Sequence, residues 1–325
     1  MTLQCESAPP PSKAPVAPRS IWIGAHQLDS SLKERMVEKA RSIPRPPQAM
    51  QQLLSEAFIN QATSADLSAL VRSDPAVAAK VIATVNSPLY NLRTPVQTLG
   101  QAITFMGVNQ FRGLCIQLML ADSFKSGDPR VGTALDAVWQ SNRAAGVLLP
   151  KLTAAYNIDN AATLTSKVIL SFVGQLAMTG LMPPGNLPTW GRLGRLTRFR
   201  MEHGFVGINA TELGALILRH WQIPDELICD VVAMDRVLVD PLESSTAADP
   251  ISAATGYVCV WMAEQIARGL GSASVSPWNP VDKDEPELQA WLTYGELPGM
   301  AAGTDSLHQA PMQAVYTQIR NGCSG

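Results

Sequence analysis

The residues best suited to chemistry in this chain are four arginines. Arg192, Arg195, Arg198 and Arg200 stand in W-G-R-L-G-R-L-T-R-F-R, with no acid before Glu202. Guanidinium is a permanently charged planar fork that binds carboxylate or phosphate through paired hydrogen bonds. On a helix over residues 190–202 the first three arginines lie at i, i+3 and i+6, a drifting row on one flank. Trp190, Leu193, Leu196 and Phe199 would anchor the adjacent face. Gly191 and Gly194 weaken that helix by about 1 kcal/mol each relative to alanine. The row reads either as a solvated face or as an anion site. In the second case the occupant is the chain's own acidic region, with Asp282, Asp284, Glu285 and Glu287, or an external phosphate-bearing ligand or acidic partner.

Other chemistries find little support. Four histidines, at 26, 203, 220 and 308, are scattered. His203 and His220 fall at expected helix C-termini, where the dipole favours imidazolium. Five cysteines (Cys5, Cys115, Cys229, Cys259, Cys323) lie far apart, three of them within apolar helical patterns, and read as buried free thiols rather than a disulfide or zinc set. There is neither a G-x-x-x-x-G-K-[ST] loop nor a dinucleotide-binding glycine pattern. The net charge is −2, which argues against a general nucleic-acid binder. The charge is nevertheless uneven. Residues 240–310 carry net −8 and the remainder net +6, so the two parts of one chain face each other at high effective concentration. No run of about 18 consecutive apolar residues and no leader-like N-terminus can be read, so no membrane association and a cytoplasmic location are expected.

The elements that must position these side chains read as helices throughout, with no convincing strand. Residues 1–28 form a proline-rich tail in which only Ile21-Trp22-Ile23 is apolar enough to dock, on the chain's own domain or on a partner. Helices are expected from Asp29/Ser30 to about 41, over 48–59, and over 64–71 with Ser64 as cap. Further helices follow over 111–124, over 131–156 with Pro150 as a kink or split, and over 163–179, 190–202, 209–221, 225–239 and 251–270. Shorter ones are expected over 287–292 and 312–319. Within 73–114, Asp74 caps a helix opened by Pro75, which Asn86-Ser87-Pro88 stops. Thr98 caps the next helix and Gly107 ends it. Val81, Ile82, Ile103 and Leu114 are expected to be buried.

The order Asp74-Pro75, Asn86-Ser87, Ala102-Ile103 and Gly107, preceded by the proline turn at residues 43–47, resembles the HDOD family of bacterial signalling proteins. The resemblance extends over roughly 31–240, and in the second half Glu202, Gly207, Glu212, Gly214, Trp221 and Pro224 match. It implies an all-α, multi-helix HD-like bundle. The chain then divides into the tail (1–28), the HDOD domain (29–240, with halves 29–125 and 126–240) and an acidic helical C-terminal extension (241–325).

The related HD phosphohydrolases hold metals with histidine and aspartate, including an adjacent His-Asp pair, to activate water for attack on phosphorus. Laid on that pattern, the ligand positions here carry Gln140, Ser171, Phe172, Ala210 and Met234, and no His-Asp dipeptide exists anywhere. The resemblance therefore implies a non-catalytic regulator, with no cofactor, that acts through contacts with a signalling or regulatory protein. Two alternatives stand beside it: a sensor of a nucleotide or other anion in the vestigial pocket, and a phosphohydrolase with altered ligands.

Overall fold

A computed structural model describes residues 22–24, 27–155, 161–236, 238–239 and 250–269. The described residues are helical, without strands. Most of the tail and all of the acidic extension beyond Gly269 lie outside them. So do Cys5, His26, Asp282, Asp284, Glu285, Glu287, His308, Cys323 and the helices expected over 287–292 and 312–319.

The first half comprises α1 (Ser30–Ser42), α2 (Gln48–Leu54), α3 (Glu56–Gln61), α4 (Ser64–Arg72), α5 (Pro75–Val85), α6 (Leu99–Met106) and α7 (Val108–Ala121). Its punctuation is chemical. The Asp74 carboxylate accepts from the N–H groups of Ala76 and Val77, with Pro75 in the first turn. Thr98 and Gln101 form a reciprocal capping box at the start of α6. For α4 the cap is Thr63 rather than Ser64, because Thr63 and Asp66 satisfy each other's backbone donors. Asn86 does more than stop α5. Its carboxamide donates to the Val96 carbonyl at 2.9 Å and accepts from the Val96 N–H at 2.8 Å, which closes the loop over residues 87–95. Gly107 adopts φ 81°, a region that disfavours side chains, and so joins α6 to α7 directly. Val81, Ile103 and Leu114 are buried; Ile82, expected beside them, is only partly covered.

The second half comprises α8 (Pro129–Ala155), α9 (Ala161–Leu170), α10 (Val173–Thr179), α11 (Leu187–Arg192), α12 (Arg195–Phe205), α13 (Ala210–His220) and α14 (Asp225–Arg236). α15 (Pro250–Gly269) follows and packs most extensively on α8, so a helix beyond residue 240 is built into the same core. Several expected helices are divided. Residues 48–59 break at Ser55, 163–179 at Ser171-Phe172, and 190–202 at Leu193-Gly194. Helix α8, by contrast, runs through Pro150 unsplit. Residues 161–179 are by length and composition apolar enough to cross a membrane, but 83% of that window is buried inside the protein, as in a core helix.

Two junctions fix the geometry. α10 and α13 cross at Gly174 and Gly214, where the backbones touch. A Cβ on Gly174 would lie 1.7 Å from the Ala210 carbonyl oxygen and 2.9 Å from the Gly214 nitrogen. α13 ends in a left-handed turn at Gln222 (φ 62°), with the Ile223 N–H bonded to the Leu218 carbonyl, and Pro224 follows. Buried Trp221 there joins the halves: its carbonyl accepts from Gln51 at 3.0 Å and its ring meets Phe124 edge-on. Trp22 docks on its own domain. Its indole donates to Glu212 at 2.9 Å, meets Phe199 edge-on at 5.3 Å and lies under the Arg236 guanidinium.

Candidate functional site

The break at Leu193-Gly194 rotates the arginines out of a single row. Arg192 ends α11 and Arg200 faces outward on α12; both are exposed. Arg195 and Arg198, one turn apart on α12, instead point into the core, where they are 2% and 4% exposed. The expected surface row is therefore not formed. Positive charge at a helix N-terminus opposes the dipole, and burial opposes it further. Both costs are offset by carboxylates from other helices.

Arg195 donates through Nη1 to both oxygens of Asp235 on α14, at 2.6 and 2.8 Å. Its Nε donates to Glu264 Oε1 on α15 at 2.8 Å. Arg198 donates through Nη2 to Glu264 Oε2 at 2.6 Å, through Nη1 to Gln175 Oε1 at 3.3 Å, and through Nε to the Leu193 carbonyl at 2.7 Å. The last bond satisfies an acceptor freed by the helix break. Arg198 also stacks on Trp190, 5.0 Å from the ring centre. Gln175 Nε2 and Arg268 Nη2 complete the set around Glu264, at 3.0 and 2.8 Å. The Thr211 hydroxyl donates to Asp235. Burial pushes the Glu264 carboxyl up, but Arg198, Arg195 and Arg268 outweigh it and hold it well below the usual range. For Arg195 burial likewise opposes the charge, and Asp235 and Glu264 override it.

The five expected ligand positions divide into two groups. Phe172, Ala210 and Met234 border this centre. The Phe172 ring lies under Arg195, 5.3 Å from it. Ala210 opens α13 beside Thr211, and its N–H donates to Glu202. Met234 precedes Asp235 and packs against Gly256, where a Cβ would meet its sulfur at 2.4 Å. Ser171 turns its hydroxyl back to the Val168 carbonyl, and Gln140 is half-buried on α8. A divalent cation of the kind phosphohydrolases use does not fit here. A phenyl ring and a methyl group offer no donor, a thioether is a poor match for a hard ion, and a guanidinium already supplies the positive charge. Among the described residues no group of three or more His, Cys, Asp or Glu could hold a metal.

Glu202 stands beside the centre. It is buried and accepts from the Trp190 indole at 2.8 Å and the Ala210 N–H at 2.7 Å. Burial pushes its carboxyl from 4.5 up to about 7, against those two hydrogen bonds and Arg198. The folded state therefore holds this proton more tightly than the unfolded chain. Its contribution to stability is full below the unfolded value near 4.5 and is lost as pH rises through about 7. Urea titrations across that window should show wild type losing stability relative to Glu202→Gln, by roughly 3 kcal/mol at most. Parallel curves would show that Glu202 ionises normally.

The remaining candidates lie elsewhere. His220 ends α13 as expected, but burial, Arg45 and Arg41 lower its pKa rather than favouring the charge. Cys115 and Cys259 are buried free thiols with raised pKa, whereas Cys229 is exposed.

Fold and centre together define an HD-like helical domain in which none of the five expected ligand positions carries histidine or aspartate. The chain belongs to the HDOD domain family, whose profile matches residues 43–236. No curated protein matches it in sequence. Solved structures share the fold. An HDOD domain protein of unknown function from Geobacter sulfurreducens aligns with TM-score 0.56 at 16% identity, over 88% of this chain and 98% of its own. A Shewanella amazonensis protein, provisionally named a metal-dependent phosphohydrolase, aligns with TM-score 0.55 at 16% identity, over 92% and 99%. A Marinobacter aquaeolei protein, provisionally named for signal transduction, gives TM-score 0.51 at 16% identity, over 88% and 65%.

Proposed function

We propose that this chain is a non-catalytic HDOD signalling module, cytoplasmic, that acts through contacts with a signalling or regulatory protein and binds neither membrane nor nucleic acid. The observation that carries the reading is the identity of the side chains at the expected ligand positions. Phe172, Ala210 and Met234 are each at most 3% exposed and fill the space a metal and its water would need. A guanidinium on the same ring repels a further cation. The Shewanella relative's name favours a phosphohydrolase, but a likeness of fold does not carry an activity across. With Mn²⁺ or Mg²⁺ added, the purified chain is expected to cleave neither a nitrophenyl phosphodiester nor a cyclic dinucleotide above the buffer rate. Turnover that disappears with chelator would overturn the reading. A second reading, a sensor of an anionic ligand, is favoured by the convergence of three arginines on one carboxylate.

A further inference from the structure

Glu264 is held as proteins hold a bound oxyanion. Two donors reach each of its oxygens: Arg195 Nε and Gln175 Nε2 on Oε1, and Arg198 Nη2 and Arg268 Nη2 on Oε2. These donors come from α10, α12 and α15, and the carboxylate itself is 3% exposed. Stability alone does not require such a cluster, since apolar residues of similar volume commonly serve as well as buried ion pairs. Nor do the internal acceptors exhaust the donors. A carboxylate offers about four lone-pair sites, and all four donors above are bonded to it. Arg195 Nη2 is left buried with no hydrogen-bond partner among the described residues. Among the described residues the three guanidiniums form ion pairs with two carboxylates, Glu264 and Asp235. Finally, Glu264 lies on α15, outside residues 43–236 that match the family.

We propose that the vacated cation centre has become an anion-binding centre, with Glu264 as its resident anion, and that the phosphate of a phosphate-bearing ligand takes the same place when that side chain is withdrawn. This rests on the reading of residues 172, 210 and 234 as emptied ligand positions. The ionic logic of the site is inverted: a metal centre gathers carboxylates and imidazoles around a cation, whereas here guanidiniums and a carboxamide gather around an anion. A tetrahedral oxyanion carries more acceptor sites than a carboxylate and would also engage Arg195 Nη2. The last turns of α15 then act as an internal stopper, and a ligand that competes with Glu264 would loosen them from α12.

The full-length Glu264→Ala variant tests this with inorganic phosphate as the probe, against chloride at equal ionic strength. Truncation leaves buried guanidinium charge uncompensated, so the thermal midpoint should fall in chloride and rise by several degrees, saturably, with millimolar phosphate. Wild type, its site already filled, should show no saturable rise, and Arg198→Met combined with Glu264→Ala should lose the response. If Glu264→Ala is unfolded in chloride, phosphate should restore its far-ultraviolet circular dichroism. Metal content and turnover of wild type bear on the proposed function, whereas phosphate uptake by the variant bears on this inference alone. A Glu264→Ala chain that gains neither stability nor structure from phosphate would overturn it.

Discussion

Gly174→Ala should cost at least about 3 kcal/mol, the upper end of overpacking penalties, and should leave little native protein. The added methyl would lie 1.7 Å from the Ala210 oxygen and 2.6 Å from its carbon. Both are backbone atoms at the first turn of α13, and neither can move aside as a flexible side chain would. Gly132→Ala is the control. Nothing lies within 4 Å of the position, and alanine there should be neutral or stabilising, by up to about 1 kcal/mol. Urea titration of both variants reads the difference. Equal stability for the two would mean that α10 and α13 do not cross at Gly174 and Gly214. The crossing also gives a physical reason for Gly214 among the features of the resemblance: the scaffold needs glycine there to bring α10 against the first turns of α13 whether or not the neighbouring positions carry ligands.

Arg195→Met should destabilise the fold by about 3–5 kcal/mol, the usual cost of leaving buried charge unpaired. The variant strands Asp235 with both oxygens stripped of their guanidinium and removes one of four donors from Glu264. Salt should change the loss little, because the pair is shielded from solvent. Replacing Arg195 and Asp235 together by uncharged residues of similar size should recover much of it, because Glu264 keeps Arg198 and Arg268 as partners. Arg192→Met and Arg200→Met, both exposed, should stay within about 0.5 kcal/mol of wild type. Denaturant midpoints for the five proteins decide the matter, and a mild Arg195→Met would mean that its guanidinium reaches solvent.

Helix content and order were legible because periodicity, prolines and caps are local signals. The divisions at Ser55, Ser171-Phe172 and Leu193-Gly194 were not. The apolar pattern continues on both sides of each, so Ser55, which caps α3, and Gly194, which opens α12, are weak local marks, and tertiary packing decides that the chain turns there. The last of these misled most, since an unbroken helix would have placed Arg192, Arg195 and Arg198 on one flank. The acidic occupant that the sequence suggests, the charge-rich Asp282–Glu287 segment, lies outside the described residues. The carboxylate found with the arginines is Glu264, a lone acid in the apolar run Y-V-C-V-W-M-A-E. An isolated acid there must be paired when buried, and that was the available signal. Asp235, Gln175 and Thr211 carried no comparable mark, because their roles depend on helices that meet only in the fold. The docking of Trp22 on its own domain was one of two outcomes that its tail position allowed.

Elemental analysis of the full chain, purified without chelators, tests the absence of a catalytic metal most directly. With Phe172, Ala210 and Met234 at the ligand positions and Arg195 over the ring, manganese, iron, zinc and magnesium should each be present at well under one equivalent. One or two tightly bound equivalents of any of them would contradict the account, because the true ligands would then have to lie elsewhere in the chain.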